Sequence, residues 1–145
     1  MTDVTKKMSV SVNEEGVIEQ YLGWWNLPEL DWDYWRNKYG NIARMDRILK
    51  MEKKSPDQYK VAKQADTMML FYNMPEDEVK QIMSNLGYQP KPDLLKINYN
   101  HYYPRTSHGS TLSRVVHAYL CNVMGEKDVS WDLYLEALTS DYIDI

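Results

Sequence analysis

Apolar residues recur at helical spacing from residue 31 onward. The first two segments with this pattern are short, one ending near Gly40 and the next running from Ile42 to about Glu52. The segments with helical spacing are 31–40, 42–52, 56–73, 75–87, 93–102, 111–124 and about 130–143. With the first two of these seven segments short, we predict an all-α chain of roughly five or six helices.

Helix-start signals are strongest at Ser55. Ser55 can cap a helix, Pro56 suits its first position, and Gln58 completes a capping box. The helix that follows is predicted to reach about Asn73. A further helix is predicted after Pro75, with three acidic residues in its first turn and Gly87 as its stop.

The same periodicity predicts which faces of three helices are apolar. In the helix over 56–73 these positions are Val61, Ala65, Met68, Met69 and Tyr72. In the helix over 111–124 the positions expected to be buried are Leu112, Val115, Val116, Tyr119, Leu120 and Val123. The last helix presents Trp131, Tyr134, Leu135 and Leu138.

The first 30 residues read as irregular chain. Alternation over residues 8–12 allows a short strand at best. Residues 16–25 are too aromatic and apolar for an ordinary solvated loop, so we expect them to pack against something larger.

Composition narrows the functional classes. The 145 residues suit one domain, and their net charge of −4, with no dense basic stretch, argues against nucleic-acid binding. Residues 1–7 lack the apolar core expected of a signal peptide, and no apolar run is long enough to span a membrane. A single cysteine, Cys121, excludes an internal disulfide, so a reducing, cytoplasmic setting is expected.

A candidate anion site lies in residues 102–114, just before a strong helix. Helix N-termini present unpaired N–H groups and partial positive charge, and therefore hold anions. Ser110 and Thr111 offer hydroxyl groups, while His108 and Arg105 offer further donors or charge. This set fits a single phosphate group. The alternative is that Ser110 only caps the helix while His108 packs beneath it.

Lys63 and Gln64 form a candidate sugar-binding site, because an ammonium group beside an amide can hydrogen-bond to adjacent sugar hydroxyls. The alternative is an ordinary solvated helix face. The three histidines are not spaced for a metal site with acidic or cysteine partners, so no metal and no cofactor is predicted.

Several segments together resemble glycoside hydrolase family 65, which contains the maltose, trehalose, kojibiose and nigerose phosphorylases. The segments occur in the family's order: GVIEQY at 16–21, YGNI at 39–42, KVAKQAD at 60–66, YPRTSHGSTLS at 103–113 and VHA at 116–118. The resemblance runs from about residue 8 to the C-terminus.

The resemblance implies a part of an (α/α)6 barrel and an inverting phosphorolysis. In that reaction a glutamic acid protonates the glycosidic oxygen while inorganic phosphate, the co-substrate, attacks the opposite face, giving β-glucose 1-phosphate from an α-glucoside disaccharide. It implies that Lys63 and Gln64 bind the glucosyl unit. It also implies that His108, Ser110 and Thr111 bind phosphate.

We expect residues 1–145 to be a fragment of this single catalytic domain, because a twelve-helix barrel needs far more residues. The family's proton donor is expected upstream of the matched region, so no catalytic residue is assigned here and the isolated chain is expected to be inactive and only marginally stable. Many relatives are dimers, which makes a homodimer of the full-length protein an open expectation. The alternatives are a non-catalytic helical module that binds carbohydrate or phosphate, and a hydrolase of the same family that uses water.

Overall fold

Helices make up most of the described chain, and they confirm the all-α prediction. The computed structural model describes Lys7 and residues 9–143. Within them we number the α-helices α1 (Trp32–Tyr39), α2 (Met45–Met51), α3 (Met69–Asn73), α4 (Glu76–Asn85), α5 (Leu94–Tyr102), α6 (Thr111–Val123) and α7 (Lys127–Ile143). Three 3₁₀ turns occupy Trp24–Asn26, Pro56–Gln58 and Tyr103–Arg105. No helix of the described residues is long and apolar enough to cross a membrane.

The ends of two helices follow the predicted signals. Asp31 caps α1 by accepting a hydrogen bond from the Tyr34 amide at 2.9 Å. Helix α4 begins directly after Pro75 with three acidic residues in its first turn, where they face the positive end of the helix dipole. The chain leaves α4 through Gly87, whose φ of +90° favours glycine.

The long helix predicted over 56–73 is wrong. The capping box at Ser55 and Gln58 forms, but it closes only the 3₁₀ turn Pro56–Gln58. Beyond it the backbone pairs with other parts of the chain: the Lys60 amide donates to the Pro28 carbonyl at 2.9 Å, and the Ala62 amide donates to the Arg105 carbonyl at 2.8 Å. Amides used in this way cannot form helical bonds, so the helix starts only at α3.

Two hydrophobic clusters form the core. The larger cluster contains buried residues from each of the five helices α3 through α7 and from the segment around Trp24. The smaller cluster contains residues of α1 and α2 together with Leu30 and Val61. Val17 and Trp24 are buried in the larger cluster, which confirms that residues 16–25 pack against the helices. Residues 9–12 contain only an isolated bridge from Val12 to Ile18. Met8 and residues 1–6 lie outside the described residues, so the predictions for them stay untested.

Asn98 ties this N-terminal segment to α5. Its amide group accepts from the Ile18 amide at 2.8 Å and donates to the Gly16 carbonyl at 3.1 Å. The same group also donates to the Leu94 carbonyl at 2.8 Å, and the side chain is fully buried. A polar residue therefore fixes the position of an irregular segment that has no regular structure of its own.

Helix α6 packs with a different face from the predicted one. Val116 and Leu120 are buried as expected, but four of the six predicted positions are exposed: Leu112, Val115, Tyr119 and Val123. The residues that join Val116 and Leu120 inside are Ser113, His117, Ala118 and Cys121. The apolar positions span more than one face of the helix, so periodicity alone did not decide which side meets the core.

Helix α7 shows the same rotation and begins at Lys127 rather than near residue 130. Leu133 and Ala137 are buried, whereas the predicted positions Trp131, Tyr134, Leu135 and Leu138 are exposed. Two of these exposed residues, Trp131 and Tyr134, line a shallow hollow of about 510 Å³ between α3, α6 and α7, together with Tyr72, Val115 and Tyr119.

Candidate functional site

The loop that leads into α6 is held rigidly at its start. The Thr106 hydroxyl donates to the Tyr102 carbonyl at 2.8 Å, which closes the chain onto the end of α5. The Arg105 guanidinium pairs with both carboxylate oxygens of Glu29 and donates to the His101 carbonyl at 2.6 Å. Arg105 is therefore occupied in tying this loop to the segment before α1, and it does not supply charge to the predicted phosphate site.

Backbone pairing joins the two segments that carry the predicted ligands. The Ala62 amide donates to the Arg105 carbonyl, and the Ser107 amide donates back to the Ala62 carbonyl at 3.0 Å. These bonds make a parallel bridge between Ala62 and Thr106. The Ser107 hydroxyl also reaches the Lys63 carbonyl at 3.4 Å. Residues separated by more than forty positions are thus direct neighbours.

Lys63 and Gln64 lie on an irregular stretch rather than on the predicted helix. The Lys63 ammonium is about half exposed and lies 3.4 Å from the Asp46 carboxylate. Partial burial raises the pKa of Asp46, but hydrogen bonds and charge from Arg44 and Lys63 outweigh it, so the net pKa is lowered. Gln64 is half-buried. Only the Lys63 end of this pair is well exposed, because the Asp46 side chain keeps 20% of its surface accessible.

His108 occupies a strained position beside the start of α6. Its φ of +51° is in the left-handed region, which is uncommon for residues other than glycine. Its Nδ1 atom lies 3.2 Å from the Ser113 hydroxyl, whereas its buried Nε2 atom has no hydrogen-bond partner among the described residues. Burial, then the charges of His117 and Arg114, lower the pKa of His108 to about 4. With a pKa this low the ring is neutral at pH 7 and can form hydrogen bonds but carries no charge.

His117 lies directly beneath His108 and was not predicted as part of the site. The two rings are 4.8 Å apart and nearly perpendicular. His117 is fully buried, and its Nδ1 atom donates to the Ser113 carbonyl at 2.7 Å. Burial lowers the pKa of His117. Its place in the VHA segment gave no signal of this contact, because the contact depends on which face of α6 is turned inward.

Ser110 stands at the N-cap position of α6, but its side chain makes no capping hydrogen bond. The alternative that Ser110 caps the helix through its side chain is therefore wrong, whereas its second part, His108 packing against the helix, agrees with the buried Nε2 atom and the contact with Ser113. Thr111 begins the helix, and its hydroxyl lies 3.1 Å from the Ser140 hydroxyl of α7. Gly109 packs against the backbone before α2: a Cβ atom there would lie 2.2 Å from the Ala43 carbonyl oxygen. Only glycine permits this approach.

A cleft of about 390 Å³ opens next to Gly109, and the sequence analysis missed it. Three arginines line it, Arg44 and Arg47 from the start of α2 and Arg114 from α6, with Glu136 of α7 opposite. We call this the arginine cleft. Arg44 and Arg47 are close in sequence, but Arg114 joins them only through the packing of α6 against the segment before α2.

The described residues contain no group of three or more histidine, cysteine or acidic side chains that could hold a metal ion. The groups that line this region offer hydrogen bonds and positive charge. Ser110 contributes a hydroxyl group, α6 contributes the amides of its first turn, and the arginine cleft contributes guanidinium groups. These groups suit a phosphate better than any cation.

Comparison with known proteins identifies the family of this chain. The family model of the glycosyl hydrolase family 65 central catalytic domain matches residues 1–145. The chain belongs to this family. A trehalose 6-phosphate phosphorylase of Lactococcus lactis subsp. lactis is 44% identical over 142 residues, which is 98% of the chain and 18% of that protein. The kojibiose phosphorylase of Halothermothrix orenii is 27% identical over 128 residues, 86% of the chain and 14% of that protein.

The fold also has a counterpart among solved structures. A putative kojibiose phosphorylase from the human microbiome superimposes with a TM-score of 0.63 at 21% identity, over 99% of this chain and 18% of that one. This similarity shows the fold and agrees with part of an α/α barrel. The chain spans less than a fifth of the length of the two phosphorylases that it matches in sequence.

Proposed function

We propose that this chain is the part of an inverting disaccharide phosphorylase that binds the glucosyl unit and inorganic phosphate. The observation that carries the proposal is the backbone pairing of Ala62 with Arg105 and Ser107. It supports a shared site because Lys63 follows one partner directly, while Ser110 lies only three residues beyond the other. Sugar and phosphate must meet at one carbon atom, so their ligands must be neighbours.

The proposed roles follow from the chemistry of each group. Lys63 and Gln64 donate hydrogen bonds to the hydroxyls of the glucosyl unit. Ser110 and Thr111 donate hydroxyl hydrogen bonds to phosphate at the start of α6, where the helix dipole favours an anion. Neutral His108 adds a hydrogen bond without adding charge. The phosphate oxygen then attacks the anomeric carbon opposite the departing sugar, which inverts that carbon and gives β-glucose 1-phosphate.

The substrate we propose is a phosphorylated α-linked disaccharide, with trehalose 6-phosphate as the first to test. The identity of 44% to the trehalose 6-phosphate phosphorylase, against 27% to the kojibiose phosphorylase, favours it. Protonation of the leaving oxygen is assigned to no residue of this chain. General acids contribute about 10²–10⁴-fold to such reactions, so the isolated chain should turn over little substrate or none.

A phosphate titration of the isotope-labelled chain tests the binding role. Inorganic phosphate should shift the amide signals of residues 108–111. Ser110→Ala should weaken binding about tenfold or more, because it removes a hydrogen bond to a charged group. Ser84→Ala is the matched control, since it removes an exposed hydroxyl of α4 far along the chain. Absence of shifts at residues 108–111, or equal phosphate binding by both variants, would contradict the proposal.

An activity assay tests the division of labour. The chain is incubated with phosphate and with trehalose 6-phosphate, trehalose or kojibiose, and glucose 1-phosphate is measured. Little or no product is expected from the chain alone. Robust phosphorolysis would show that a proton donor lies within these 145 residues and would overturn our assignment.

A further inference from the structure

The arginine cleft is a positively charged site in an acidic chain. Its lining contains three guanidinium groups and one carboxylate, while the whole chain has a net charge of −4. A local group of arginines in a chain of opposite net charge gives the cleft a positive potential that attracts an anionic ligand. Arginine is also the side chain whose planar fork best matches the oxygens of a phosphate group.

The guanidinium groups in the cleft are poorly neutralised by the residues that the structure describes. The Arg44 Nε atom lies 3.4 Å from Asp46, and the Arg114 Nε atom lies 3.5 Å from Glu136, so both ion pairs are long. Glu136 is mostly exposed, and the Nε atom of Arg114 is buried without a hydrogen-bond partner. Arg47 is exposed and forms no ion pair with any described residue.

The size and place of the cleft point to a ligand larger than a free ion. Its volume of about 390 Å³ lies in the range of sites that hold small organic molecules. Gly109 forms part of its wall, so it adjoins the loop that carries Ser110. Hydroxyl groups of Thr139 and Ser140 add polar lining that suits a sugar.

We propose that the arginine cleft binds the phosphate ester of a sugar phosphate, with Arg44, Arg47 and Arg114 around the ester oxygens. This inference rests on the proposed function: the phosphate ester would belong to the sugar that leaves, while the loop at Ser110 holds inorganic phosphate. The cleft thereby selects phosphorylated disaccharides over uncharged ones. A phosphate ester and free phosphate offer the same oxygens, so the experiment must separate them.

The test is a titration of the labelled chain with glucose 6-phosphate, glucose and inorganic phosphate in turn. Glucose 6-phosphate should shift the side-chain Nε signals of Arg47 and Arg114, and glucose should leave them unchanged. Arg47→Gln should weaken glucose 6-phosphate binding about tenfold, the usual scale for a charged hydrogen bond. Lys50→Gln removes the same charge from α2 but lies outside the cleft lining, and should change binding by less than about twofold.

Three results would overturn the inference. Equal weakening by Arg47→Gln and Lys50→Gln would show attraction by general charge alone. Inorganic phosphate binding at the arginine signals as tightly as glucose 6-phosphate would assign the cleft to the free co-substrate. No response of the arginine signals to glucose 6-phosphate would remove the subsite. Failure of the proposed function has a different signature, in which the amide signals of residues 108–111 do not shift when inorganic phosphate is added.

Arg47→Gln is a fair variant because its side chain is exposed and makes no ion pair with the described residues, so folding should be unaffected. Urea unfolding of both variants checks this, and the two midpoints should agree with that of the unaltered chain. Arg47→Lys keeps the charge but loses the planar fork, so it should recover only part of the affinity. Full recovery by lysine would show that charge alone matters and would contradict an arginine-specific grip on the ester.

Discussion

Gly109→Ala is the substitution that most directly probes the contact between the loop that leads into α6 and the segment before α2. A Cβ atom at this position would lie 2.2 Å from the Ala43 carbonyl oxygen and 2.9 Å from the Arg44 Cδ atom. Carbon and oxygen atoms ordinarily approach to about 3.3 Å, so one of the two backbones must move by about 1 Å. The nearest atom belongs to the backbone, which cannot rotate away as a side chain can.

The magnitude follows from this displacement. Forcing extra atoms into a packed contact destabilises a protein by about 1–3 kcal/mol. For a chain of this size a loss of about 2 kcal/mol lowers the melting temperature by roughly 4–8 °C. Because the shift separates Gly109 from the backbone at Ala43, phosphate binding at Ser110 and the shape of the arginine cleft should change as well.

The assay combines urea unfolding with the phosphate titration. Gly87→Ala is the control: Gly87 has a φ of +90° with nothing within 4 Å of the added Cβ atom. Alanine in that left-handed conformation loses about 1–2 kcal/mol, so both variants lose similar stability. Only Gly109→Ala should weaken phosphate binding and shift the amide signals at residues 43–44. Unchanged phosphate affinity in Gly109→Ala would refute the contact as the reason for this glycine.

Two further predictions concern pH and a buried amide. The pKa of His108 is about 6.5 in the unfolded chain and about 4 in the folded chain, so the unfolded chain takes up a proton at a higher pH. The free energy of unfolding should therefore fall by about 2 kcal/mol between pH 7 and pH 5 because of this residue. His108→Asn should lose that part of the decline in urea titrations, and an unchanged pH slope would contradict it. Asn98→Ala leaves the Ile18 amide and Gly16 carbonyl unpaired and should lose about 2–4 kcal/mol in the same assay, whereas exposed Asn100→Ala should lose under about 0.5; equal losses would disprove the role of Asn98.

Local signals in the sequence were sufficient for several elements. The acidic first turn and the following glycine placed α4, and the helical spacing over 31–40 placed α1. The aromatic and apolar content of residues 16–25 predicted their burial, which Trp24 confirms. In each case the information lies within a few neighbouring residues, because caps, dipoles and side-chain hydrophobicity act over short distances along the chain.

Other features needed contacts between distant residues. The capping box at Ser55 predicted a long helix, but the backbone at Lys60 and Ala62 bonds to Pro28 and Arg105 instead. The pattern of α6 contained apolar residues on more than one side, and packing turned His117 inward. A pattern within a few neighbouring residues contains no information about contacts with residues that are distant in the sequence.

The candidate site divides along the same line. The residue types at Lys63 and Ser110, with the ordered segments around them, already indicated a sugar and a phosphate ligand and the family to which the chain belongs. That the two segments pair through Ala62, and that Arg114 meets Arg44 and Arg47 in one cleft, was decided by the tertiary structure alone. The physical reason is that side-chain chemistry is a property of each residue, whereas its neighbours in space depend on how the whole chain satisfies its buried backbone bonds and apolar faces.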